Sequence, residues 1–127
     1  MSELKIAVRK QPAQFQPGEE IIGAAQWSLK RAPKSVEARL LWHTTGRGIE
    51  DVCVAATVQF ASPLQEDTRP FTITAPEAPY SFAGSLVTLQ WALELVALPS
   101  KEIARIDIVI APGGSPVDLR NAATSTL

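Results

Sequence analysis

The chain has 127 residues, a formal net charge of −1, 46% hydrophobic and 20% charged residues, and a single cysteine. This describes one folded domain with room for one core, too apolar for a disordered chain. The near-neutral balance also lacks the clustered Lys and Arg through which counterion release drives nucleic-acid binding, so no nucleic-acid partner is expected.

Period-two alternation recurs along the chain and predicts strands with one face buried. Leu4, Ile6 and Val8 alternate with Lys5, Ala7 and Arg9. Gln16-Pro17-Gly18-Glu19 reads as a turn, with Pro presetting one dihedral and Gly supplying the next. A second strand follows over Ile21 to Leu29, carrying Trp27. After Lys30-Arg31-Ala32-Pro33-Lys34, Val36, Ala38, Leu40 and Trp42 mark a third strand, which stops at Thr45-Gly46-Arg47-Gly48. The fourth runs over Val52, Val54, Ala56, Val58 and Phe60. Between Ala61 and Ser81 four prolines exclude a long central strand and leave a short edge strand at Phe71 to Thr74.

Ser85 to Leu98 fits both a helical stripe and an alternating strand. The strand reading places Leu89, Trp91, Leu93 and Leu95 on one face, and the neighbouring elements need an antiparallel partner. Ile106, Ile108 and Ile110 mark a further strand after the turn at Pro99-Ser100-Lys101-Glu102. A short strand is expected at Val117 to Leu119, and Arg120 to Leu127 read as a flexible tail without apolar pattern. The count of about seven strands without a helix predicts an all-β, immunoglobulin-like antiparallel β-sandwich over residues 1–119. Trp27, Trp42, Trp91 and Phe82 are expected inside it.

The residues able to carry chemistry are few. His43 is the only histidine and Cys53 the only thiol. Cys53 lies in a Val/Ala run and reads as a buried, inert thiol. A hairpin turn near Arg47 would set His43 opposite Glu50 to Val52, where the acidic pair reads as a solvated hairpin rather than a metal ligand set. Gly46-Arg47-Gly48 lacks the third glycine and the following helix of a phosphate cradle, and no Gly-x-Ser-x-Gly elbow is present. The expectation is therefore a protein that is not an enzyme, with no cofactor and no catalytic or metal site. The basic residues Arg9, Lys10, Lys30, Arg31 and Lys34 lie at loops and strand ends, as candidate contacts for an anion or a protein partner. No segment reaches the roughly 18 apolar residues of a membrane span and no signal-peptide core stands at the start, so a cytoplasmic setting is expected.

Two segments resemble a known family. Phe15-Gln16-Pro17-Gly18-Glu19-Glu20-Ile21-Ile22-Gly23 is similar to the "aromatic, x, Pro-Gly-Glu, x, aliphatic, x, Gly" signature of arrestin-like N-terminal domains. Pro76, then Pro79-Tyr80-Ser81-Phe82-Ala83-Gly84, with Leu86, Val87 and Trp91 after them, resembles the family's Pro-x-Ser-Phe-x-Gly corner leading into a long strand. The resemblance covers residues 3 to 119 and extends to the family's bacterial sporulation-control members. It implies an arrestin-type sandwich acting as a non-enzymatic adaptor or scaffold. Family members generally carry two such domains in tandem, so the interdomain polar core has no counterpart here, and no Pro-Pro-x-Tyr ligase-binding motif is present. The outward strand parity, with Ile22, Ala24, Leu41, Cys53, Ala55, Ala92, Val96, Leu98 and Val109, is more apolar than a solvated face needs. This predicts a covering partner, in the simplest case a second copy in a homodimer.

Overall fold

Two antiparallel sheets enclose one core in the computed structural model, which describes residues 2–46, 50–84, 87–114 and 117–118. The smaller sheet has the order β1-β3-β6, from β1 (Glu3–Val8), β3 (Glu20–Ser28) and β6 (Glu66–Thr74). The larger is built on β5 (Asp51–Gln59), β4 (Ser35–Gly46), β8 (Val87–Leu98) and β9 (Glu102–Ile110), hydrogen-bonded in that order. Three two-residue strands complete it. β2 (Gln14–Phe15) runs parallel to β9, β7 (Phe82–Ala83) pairs with β8, and β10 (Val117–Asp118) runs parallel to β7. The only helical turn among the described residues is a 3₁₀ turn at Pro112–Gly114. This is the expected all-β sandwich, and the segment before Leu98 is a strand, as alternation predicted.

The alternation works as it should on β3, where Ile21, Ala25 and Trp27 are buried, and on β1, where Ile6 and Val8 are. Gly23 sits where β1, β3 and β6 meet most closely: a Cβ there would collide with the Ala7 carbonyl oxygen and the Phe71 ring. On β8 the inward set Leu89, Trp91, Leu93 and Leu95 faces β3 and β1, while β4 contributes Val36, Ala38 and Leu40. The Trp27 and Phe60 rings meet at 5.5 Å between centroids, tilted by 39°, in the offset geometry that aromatic quadrupoles favour.

Both fully enclosed indoles find a backbone acceptor in a proline-containing loop. Trp27 Nε1 donates to the Leu64 carbonyl at 2.7 Å, and Trp91 Nε1 to the Pro79 carbonyl at 2.9 Å. Ser81 locks the second loop further: its N–H donates to the Ile110 carbonyl at 2.7 Å, and its Oγ accepts from the Ile110 N–H at 3.1 Å. The Pro-x-Ser-Phe corner thus binds β8 and β9 through groups that would otherwise be unsatisfied.

Several sequence expectations are corrected. β6 is nine residues long rather than four and includes Pro70, which is tolerated because β6 is an edge strand with β3 on one side only. Phe82 and Trp42 are half-buried, not enclosed, although both pack against the core. Trp42 lies between Trp91 and the exposed Cys53 in the register. Cys53 is exposed rather than buried. A β-bulge after Leu40 leaves Ala55 unpaired and reverses the alternation of β5, so Val52 and Val54, set opposite His43 and Leu41, are turned outward. Beyond the bulge Ala56 and Val58, and Phe60 just after β5, reach the core. Leu41, Ala92 and Val96 were expected on an exposed apolar face and are instead buried. Ala92 lies between Leu41 and Asp107 and Val96 between Glu37 and Ile103, larger cross-strand neighbours that cover them, while Leu41 lies between Val54 and Ala92. Part of the expected hairpin turn, Arg47 and Gly48, and the tail at Arg120 to Leu127 lie outside the described residues.

Replacing Trp91 by Ala is expected to lower stability by about 3–5 kcal/mol, the usual cost of emptying so large a core site. Trp91→Phe should cost less, about 1–3 kcal/mol, from the lost hydrogen bond to the Pro79 carbonyl and the smaller ring. Chemical denaturation midpoints of the two variants check both the size and the order.

Candidate functional site

The five basic residues singled out in the sequence do not form one cluster. Lys30 follows Ser28, which pairs with Glu3 at the start of β1, whereas Arg9 and Lys10 follow Val8 at its other end. A strand of that length spans on the order of 17 Å, so the two groups occupy opposite ends of the sandwich. At the Arg9 end, Lys10 is already engaged: its Nζ lies 2.8 Å from Glu19 Oε2 and 5.5 Å from the Phe15 ring centroid.

At the other end, Lys30, Arg31 and Lys34 stand on the β3–β4 loop beside a cleft of about 390 Å³. Its floor is apolar, from Leu29, Ala32, Pro33, Leu98 and Pro99, and its far wall carries Ser100 and Glu102. Among the described residues none of the three cations takes part in an ion pair. The loop that carries them is anchored at both ends. Leu29 N–H donates to the Gln65 carbonyl at 3.0 Å, and the Gln65 amide nitrogen donates to the carbonyls of Leu29 and Lys30 at 2.9 and 3.1 Å. Lys30 N–H donates to Ser2 Oγ at 3.2 Å, and Lys34 N–H to the Leu98 carbonyl at 2.9 Å. The charges therefore project from a fixed backbone.

Sequence reasoning identified the cations but missed Leu98, Pro99, Ser100 and Glu102 as the other half of the cleft and Gln65 as the clamp. Nothing local marks them. They reach the loop only because the register sets Ser35 opposite Leu98 and brings the β8–β9 turn alongside.

The remaining chemistry-bearing groups are separated. His43 pairs with Val52 and Cys53 with Trp42, so the imidazole and the thiol point to opposite faces of the large sheet. Among the described residues no three His, Cys, Asp or Glu side chains are gathered as metal ligands. His43 Nε2 is buried without a partner among the described residues, in a shallow hollow beside Gln90, Arg105 and Asp107. Arg105 is shared there between Glu94 at 3.9 Å and Asp107 at 3.6 Å. No helix among the described residues is long and apolar enough to cross a membrane.

No protein-family model matches the sequence, and no curated protein matches it. Solved structures do. Spo0M, a sporulation control protein from Bacillus subtilis, superposes with a TM-score of 0.61 at 15% identity, over 87% of this chain and 49% of its own. A superoxide reductase (neelaredoxin) from Ignicoccus hospitalis matches at a TM-score of 0.45 and 15% identity, over 84% of this chain and 79% of its own. A β-glucosidase from Listeria innocua matches at 0.48 and 10% identity, over 91% of this chain and 16% of its own. The fold is thus the arrestin-type β-sandwich that the Pro-Gly-Glu and Pro-x-Ser-Phe segments resemble. The chain spans about half the length of Spo0M.

Glu19 shows how the Arg9 end is wired. The hydrogen bond from Lys10, then that from the Gln16 N–H at 2.9 Å, holds its carboxyl below the usual range. A depressed carboxylate adds stability above its unfolded-state pKa, and that stability is lost as pH falls through the folded value. Lys10→Met should accordingly move the Glu19 titration upward, read by carboxyl NMR shifts, and reduce the loss of stability on acidification.

Proposed function

We propose that this chain is a non-enzymatic protein-interaction module, of adaptor or scaffold type, that pairs with a second copy through β5. The observation that carries the reading is the state of this edge. β5 has β4 as its one hydrogen-bonded neighbour among the described residues, and Asp51 to Ala55 are consecutively exposed, with Val52 at 67% and Val54 at 48%. An unpaired edge with apolar side chains is a template for strand addition. The opposite edge strand, β6, is blunted by Pro70 and by Arg69, which reaches Asp67 at 2.9 Å and the Ala61 carbonyl at 2.9 Å.

A second copy suits this edge. Antiparallel self-pairing sets Val52 and Val54 against their own kind and keeps Glu50 and Asp51 of the two chains at opposite ends, and the net charge of −1 opposes association only weakly. The exposed Cys53 thiol supports a reducing, cytoplasmic setting. The fold shared with a sporulation control protein is in keeping with a regulatory or adaptor role. A second reading, an anion-binding domain, is favoured by the way Lys30, Arg31 and Lys34 line one cleft without an ion pair among the described residues; Arg9 and Lys10 stand apart from it.

Sedimentation at micromolar concentration should give a dimer, and Val54→Lys a monomer that its thermal midpoint shows to be folded, since Val54 itself is half-exposed. A monomeric parent chain would overturn the self-association.

A further inference from the structure

We infer that the cleft between the β3–β4 loop and the β8–β9 turn docks an acidic, extended peptide segment of a partner protein, with an apolar side chain seated on Leu29 and Leu98. The inference rests on the anion-binding reading of this cleft and names the class of ligand.

Three observations select a peptide. First, the charge is multiple: Lys30, Arg31 and Lys34 all line one cleft. One carboxylate or phosphate neutralises one or two of them. An extended peptide with acidic residues at alternate positions carries several carboxylates on one side and can answer all three. Second, the floor is apolar, and in such a peptide the intervening side chains point the other way, so acidic groups and an apolar anchor meet the two surfaces together. Third, the cleft is small and one-sided. At about 390 Å³ it stands at the low end of sites that enclose a small molecule, and it suits a side chain or two. Glu102, held by Ser100 at 3.2 Å, forms the far wall and repels a ligand carboxylate, which orients the acidic side of the peptide toward Lys30, Arg31 and Lys34.

The backbone is prepared for this role. Gln65, Ser2 and the Leu98 carbonyl hold the loop from three directions, so docking does not have to order it.

The test titrates the full chain with fluorescein-labelled Asp-Leu-Glu-Leu-Asp, read by anisotropy and by amide NMR shifts at residues 29–34 and 98–102. Saturable binding with shifts there supports the inference, together with at least tenfold loss in Arg31→Glu/Lys34→Glu, wild-type affinity in Arg9→Glu, and weakening when the peptide's leucines become serine. Thermal midpoints of the variants show that they are folded. Equal binding of the serine peptide would overturn the apolar anchor, and retained affinity in the double variant would overturn the site. If inorganic phosphate or vesicles of anionic phosphatidylglycerol shift the same amides while the peptide does not, the peptide inference fails and the anion-binding reading stands. If no probe shifts them, both fail.

Discussion

The enclosed indole N–H of Trp91 is the constraint around which the sandwich is arranged. A donor in a dry interior must be matched, and the Pro79 carbonyl matches it only if the preceding loop is drawn over the end of β8. Ser81 then holds that loop by exchanging two hydrogen bonds with Ile110, so β7, β8 and β9 are tied at one point. Trp27 imposes the same demand on the Leu64 loop at the entrance to β6. The two tryptophans fill the core and also dictate the course of two connections that have no ladder of their own.

This arrangement leaves the two lateral sides of the molecule unequal. On one, β1 lies against β9 and β2 extends the large sheet, so the layers are joined. On the other, β5 and β6 end their sheets. β6 is protected by a proline and by an arginine that caps nearby carbonyls, whereas β5 is bent by its bulge and turns Val52 to Ala55 outward. The outer face of the large sheet is less apolar in effect than its composition, because Glu37 and Arg39 form an ion pair and long neighbours cover Ala92 and Val96. The exposed apolar surface is thereby concentrated on one edge rather than spread over a face.

The end of the sandwich that carries Lys30, Arg31 and Lys34 differs from the end that carries Lys10 in how charge is used. Lys10 is neutralised by Glu19 and lies near an aromatic ring, and it staples the Pro-Gly-Glu turn. The other three cations stand beside apolar residues on a clamped backbone and take part in no ion pair among the described residues. The same residue types are neutralised at one end and left unpaired at the other.

Alternation determined the β class, the position of most of the long strands and most of the core, because a half-buried strand requires apolar residues at every second position and Ile21, Trp27, Leu93 and Ile108 meet that requirement. The Pro-x-Ser-Phe corner could be read from the sequence as a turn leading into a strand, since proline and glycine restrict the backbone locally. Tertiary structure decided the rest. The bulge that exposes Val52 and Val54 has no local signature, since Val52 to Val58 alternate without a break in composition. The length of β6 depended on its being an edge, which no single strand reveals about itself. The cleft depended on register: Leu98 and Glu102 lie some seventy residues from Lys30 in sequence, and only the pairing of β4 with β8 brings them together.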